Sequence, residues 1–264
     1  MTEEQQSCQS VDPNAGPLDL VRYRNNAGWL ANQDAFQVAR SLCETRVGIR
    51  CALLCGSWVS GDARRGSDVD LYVLADYGPA FVREQLLFRG HPFQINTLTL
   101  DAAFNAISDG RAIGSPFYIH AFAFSEHIYG DRAANALIKD VAQKTLSGGP
   151  HPYSANRIEV ARVATVNAWI KAANTTGTEG VLVAIRLFHN LLRYLQMLHG
   201  CWLFDDQWVA RDSAFPADTL QNMTAALVSA VAGEPDAFLS LVSNLLDEQF
   251  LWTTRQPVLH RRAF

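Results

Sequence analysis

Ile49-Arg50-Cys51-Ala52-Leu53-Leu54-Cys55-Gly56-Ser57 and, ten residues on, Asp68-Val69-Asp70-Leu71-Tyr72-Val73-Leu74 form the most informative stretch of this chain. The apolar run Ile49 to Cys55 reads as a buried strand. Gly56 and Ser57 end it in a tight turn, leading into Trp58 and a short helix. Asp62 to Ser67 is loop-like, and the chain then re-enters a strand. Asp68 and Asp70, two apart, project to the same face of that strand. Two carboxylates side by side repel unless a cation or a proton lies between them. A hard divalent ion such as Mg²⁺ prefers carboxylates together with phosphate oxygens. The Gly-Ser turn offers backbone N–H groups and a hydroxyl to a nearby anion. Together these residues describe a site for a polyphosphate and magnesium.

The elements Gly56-Ser57, Gly61 and Ser67-Asp68-Val69-Asp70-Leu71 resemble the signature of the nucleotidyltransferase superfamily that includes DNA polymerase β and the antibiotic nucleotidyltransferases. The likeness covers Cys51 to Leu74 closely. It implies Asp68 and Asp70 as catalytic residues and ligands of one or two Mg²⁺ ions. It implies Gly56, Ser57 and Ser67 around the phosphates of ATP or another nucleoside triphosphate, with Arg64 and Arg65 in the loop between either contacting phosphate or solvated. The family places a third carboxylate on a neighbouring strand, and the matching position here is Gln94, with Asn96 on the same face. An amide accepts no proton and is a poor second-metal ligand beside two aspartates. Candidates for a base or for acceptor binding are therefore Gln94 itself, His91, Asp101, Glu159 and His189.

Composition agrees with a compact enzyme. The chain has 264 residues, 48% hydrophobic and 18% charged, with a net charge of −4. That length supports a large core, and that balance is globular. Lys and Arg are scattered, leaving no basic footprint for a long nucleic acid. No apolar stretch is expected to reach the length of a membrane span, and the N-terminus (MTEEQQSCQS) is polar and unlike a signal peptide. The five cysteines show no Cys-x-x-Cys pairing and no zinc spacing. A reduced, cytoplasmic protein, monomer or homodimer, is the expectation.

The predicted fold class is α+β: a small mixed β-sheet domain followed by an all-helical bundle. The break Ser147-Gly148-Gly149-Pro150 divides residues 1–148, with a polar tail over 1–15, from residues 149–264. Gly16-Pro17 is expected to open a helix, or two helices, running to Leu42. Val69–Leu74 and the alternating Phe93–Leu100 read as strands, Ala80–Leu87 as a short helix, and Asp101–Gly114 as a helix. Phe122–Ile128 fits either a strand or an apolar helix. A helix is expected to begin at Tyr129-Gly130-Asp131. Beyond the break, helices are expected over 154–174, 178–199, 217–232 and 236–252. Thr176 to Glu179 matches a capping box.

The order of sheet domain and helical domain is similar to that of kanamycin nucleotidyltransferase and its relatives, which implies a cleft site and a small hydroxylated acceptor such as an antibiotic or a natural-product intermediate. On the second bundle helix, Arg186, His189, Asn190, Arg193 and Gln196 form a polar stripe. Arg193 is thus a candidate phosphate contact, or part of a solvated face. Two other classes stay open. One is a nucleotide-binding regulatory or catalytically weakened homologue, suggested by Gln94. The other is a toxin–antitoxin nucleotidyltransferase modifying a protein or tRNA, suggested by the Arg193/His199 spacing. Six residues place those two about 240° apart around one helix.

Overall fold

The computed structural model describes residues 16–17, 35–63, 67–78, 80–204 and 215–254. Two compact units divide the chain, residues 1–150 and 151–264. The first contains β1 (Gly16–Pro17), α1 (Ala35–Glu44), β2 (Ile49–Cys55), α2 (Ser57–Ser60), β3 (Val69–Ala75), β4 (Phe81–Phe88), β5 (His91–Thr99), α3 (Leu100–Ile113), α4 (Phe117–Ala123), β6 (Glu126–Gly130) and α5 (Arg132–Ser147). The second contains α6 (Ala155–Ala173), α7 (Gly177–Leu198), α8 (Ala217–Val231) and α9 (Asp236–Thr254). The fold is α+β, a mixed sheet followed by helices.

The strands lie in the order β1-β4-β5-β3-β2-β6. Only β3 and β5 run parallel; the other neighbours are antiparallel. One face of the sheet is oily. Leu54, Val69, Leu71, Val73, Phe93 and Ile95 pack there against Val38, Ala39, Leu42 and Cys43 of α1. Each fully buried Leu or Ile contributes about 1.5–3 kcal/mol. The other face carries Asp70, Tyr72, Gln94 and Asn96. Tyr72 meets Phe122 of α4 edge-on at 5.1 Å, which closes that face away from Asp70.

The segment read from sequence as a helix over Ala80–Leu87 is strand β4. It pairs with β5 along its whole length, from Phe81 with Leu98 to Phe88 with His91. The joining residues Arg89 (φ 49°) and Gly90 (φ 82°) both have positive φ, as a two-residue hairpin requires. Pairing thus overrides the helical preference of Glu-Gln-Leu-Leu. Gly16-Pro17, expected to open a helix, pairs instead with Leu87 and Leu86 of β4. The rest of that expected helix before Ala35 lies outside the described residues, as does the tail over 1–15. The undecided stretch Phe122–Ile128 divides between the end of α4 and the start of β6.

Asp131 caps α5, its carboxylate accepting from the N–H groups of Ala133 (2.8 Å) and Ala134 (3.2 Å). Those bonds hold its carboxyl below the usual range. Tyr129 and Gly130 therefore end β6 rather than begin the helix.

In the helical unit, α7 is the core helix. Leu187, Leu191, Tyr194 and Leu195 are buried with Ala168 and Ala172 of α6, Met223 of α8, and Phe238 and Val242 of α9. By length and composition α7 is long and apolar enough to cross a membrane, contrary to the expectation from sequence. Half of that apolar stretch is buried inside the protein. Thr176 is the N-cap of α7, but its side chain makes no capping hydrogen bond, so the expected capping box is not formed. Gly177, at φ 65°, turns the chain there.

Gly130 locks β6 onto β2. Its φ is 79°, and a Cβ there would run into the carbonyl oxygen of Arg50. Gly61 has the same φ of 79° with open space around it. Gly130→Ala is expected to cost about 3 kcal/mol or more, and Gly61→Ala about 1 kcal/mol. Urea unfolding followed by circular dichroism measures both; equal losses would refute the backbone contact as the cause.

Candidate functional site

Strand β2 ends in Cys55, which is in register with Asp70 on β3; Asp70 is in turn in register with Gln94 on β5. The turn after Cys55 brings the backbone against this row. Gly56 takes φ 73° and ψ −154°, a conformation that favours glycine. Its carbonyl accepts from the N–H groups of Val59 (3.1 Å) and Ser60 (3.2 Å), winding α2. A Cβ on Gly56 would collide with the Oδ2 of Asp70. The Gly-Ser turn therefore lies directly on the carboxylate, and only glycine permits the approach.

Asp70 is partly buried and Asp68 exposed. Burial pushes the Asp70 carboxyl up to about 7, the charge of Asp68 adds to the rise, and Arg83 and a hydrogen bond from Gln94 oppose it. That bond runs from Gln94 Nε2 to Asp70 Oδ1 at 3.1 Å. A carboxylate held where its charge is disfavoured, with a second one two residues away, is a site that a cation relieves. The donors are hard oxygens, so the residues present fit Mg²⁺, which binds through one or two carboxylates and completes its shell with water or phosphate. Among the described residues, no group of three or more His, Cys, Asp or Glu side chains is placed to hold a metal.

The other residues singled out from sequence fall in several places. Ser57 opens α2 beside Gly56, and Ser67, partly buried, precedes Asp68. Arg64 and Arg65 lie outside the described residues. His91 is 3% exposed, and burial lowers its pKa. It is paired with Phe88 on the oily face of the sheet, edge-on to Trp58 at 5.9 Å. Alternation along β5 thus puts His91 on the opposite face from Gln94. Asp101 is exposed in the first turn of α3.

The remaining candidates, with the polar stripe, belong to the helical unit. Glu159 accepts two bonds from Arg162, at 2.8 and 2.7 Å, which hold its carboxyl below the usual range. His189 and Arg193 are exposed on α7, as is Arg186. The polar stripe stops short of Gln196, which is 1% exposed and donates to the carbonyl of Phe204 at 3.3 Å. There the chain folds back on the last turn of α7, and the amide satisfies a loop carbonyl.

Sequence reasoning missed Arg83. Its charge acts on both Asp70 and Tyr72. The signal was the Arg89-Gly90 dipeptide between two runs: read as a hairpin, it aligns Arg83 with Asn96.

No protein-family model matches this chain, and no curated protein does. Among solved structures, a nucleotidyltransferase-like protein from Exiguobacterium sibiricum 255-15 is similar at 9% identity and a TM-score of 0.44, over 83% of this chain and 77% of that one. A likeness of that size carries no argument about the site.

Asp70 should leave a signature in stability. In the fold it keeps its proton to about pH 7, whereas its ordinary value is 3.8. Between those values the native state binds the extra proton, so stability falls as pH rises through this window and the whole penalty stands above 7. Asp70→Asn removes the penalty. Its gain over wild type without metal is expected to be near zero below pH 4 and about 1–3 kcal/mol at pH 8. Thermal melts across that range measure it; a gain independent of pH would refute the assigned cause.

Proposed function

We propose that this chain is a Mg²⁺-dependent nucleotidyltransferase that moves a nucleoside monophosphate, with ATP the leading donor, to a hydroxyl of a small molecule such as an antibiotic or a natural-product intermediate. The observation that carries this reading is the Asp70 carboxylate, wedged between Gly56 and Gln94 with Asp68 two residues away. In the reaction an O–P bond forms between the acceptor hydroxyl and the α-phosphorus. The α–β bridging P–O bond breaks, pyrophosphate leaves and the hydroxyl proton is released. When bound, magnesium would neutralise the charge of the triphosphate. Asp68 and Asp70 would hold it. Gly56, Ser57 and Ser67 would line the phosphates, and the close turn would fix their orientation, which supplies much of the catalysis in phosphoryl transfer.

A second reading, a nucleotide-binding protein with weak or no turnover, is favoured by one observation. Gln94 points a hydrogen-bond donor at Asp70 where a further acid would give a second metal ligand or a base. The two readings separate in one assay. The full chain is incubated with each labelled nucleoside triphosphate and Mg²⁺ over a panel of hydroxylated small molecules, proteins and tRNA, and pyrophosphate release is followed. Turnover on a small molecule that falls at least about 10³-fold in Asp68→Asn and in Asp70→Asn supports transfer. Nucleotide binding without turnover, with turnover appearing in Gln94→Glu, supports the second reading. Release that survives both aspartate variants would place the chemistry elsewhere.

Gly56→Ala gives a further check. The added methyl group meets the Asp70 carboxylate, so Mg²⁺-dependent activity is expected to drop at least about 10²-fold. Wild-type activity in this variant would mean that the turn and the carboxylate need not touch.

A further inference from the structure

Strand register arranges one face of the sheet in rows. Asp70, Gln94 and Gln85 form one row; Tyr72, Asn96 and Arg83 form the next. Alternation sets all six side chains on the same face. Among the described residues of β3, β4 and β5, the charges on that face are Asp70 and Arg83, with Asp68 at its edge. Gln94 adds a donor to Asp70 and no negative charge.

One feature of the second row points to an anion. Arg83 is exposed, its charge reaches Asp70, and among the described residues it makes no ion pair. An exposed, uncommitted guanidinium on the face that carries Asp70 suits phosphate oxygens, which it can grip with two N–H groups.

The same row limits the metal. Two carboxylates balance one divalent cation. Among the described residues no third acid joins them to hold a second cation, and Arg83 would repel one.

Resting on the nucleotidyltransferase reading above, we propose that Asp68 and Asp70 take a single divalent cation and that Arg83 supplies the other positive charge to the triphosphate of the bound nucleotide. Arg83 is then a substrate-contacting residue, and the site is a one-metal site by construction. Arg83 also sets a sign that a purely structural residue would not: it opposes the cation and attracts the nucleotide.

Manganese with a non-hydrolysable nucleoside triphosphate, titrated into the full chain and followed by electron paramagnetic resonance and calorimetry, tests this. One Mn²⁺ per nucleotide-bound chain is expected. Arg83→Ala should bind the Mn²⁺–triphosphate at least tenfold more weakly and Mn²⁺ alone at least as tightly as wild type, with the fold intact by circular dichroism. Arg83→Lys should recover part of the nucleotide affinity. Two Mn²⁺ per chain, or full triphosphate affinity in Arg83→Ala, overturns the proposal. If Asp70→Asn still abolishes binding in that case, the transferase reading stands and only Arg83 is refuted. If Asp70→Asn also binds the triphosphate normally, both fall.

Discussion

Asp70 is a carboxylate seated where its own charge is disfavoured, and the surrounding structure is arranged around that fact. It occupies the second position of β3, a strand otherwise almost wholly buried between β2 and β5. Water is largely excluded on one side, Asp68 repels it from the other, and Gly56 leaves no room for a Cβ beside its Oδ2. Partial compensation comes from Gln94 and Arg83. The arrangement holds a charge that burial disfavours, a local destabilisation offset by the rest of the fold, as is common at functional sites.

The offset is visible in the sheet. Leu71 and Val73 face α1 on the oily side while Tyr72 meets Phe122 and Tyr118 edge-on on the other, so β3 is clamped on both faces. On the far side of β2, Gly130 lies close on the Arg50 carbonyl and Asp131 caps α5, pinning the outer strand. Rigid elements thus position the short, tight turn that carries Gly56 and Ser57.

Charge is unevenly spread over this sheet face. Among the described residues its acids lie at the Asp68/Asp70 edge, its amides on β4 and β5, and its guanidinium on β4.

Much of this was legible in the chain. The apolar run ending in Gly-Ser, and the Asp-x-Asp opening the next run, specify strand, turn and strand by patterns that are local. The helices after Pro150 follow from a 3.6-residue periodicity and from breaks at glycine and proline, which also act locally. Strand β4 was not legible, because its eight residues carry helix formers and their state is decided by pairing with β5. With β4 hidden, so was Arg83, whose proximity to Asp70 exists only through the register of three strands. Alternation along β5 likewise separates His91 from Gln94 once the strand's extent is known. Sequence by itself determined the central strands, the later helices, the paired aspartates and the glycine turn, since each depends on neighbours within a few residues. Tertiary structure alone decided which side chains share the face with Asp70, and how far burial shifts its proton, since both depend on residues far apart in the chain and on the exclusion of water.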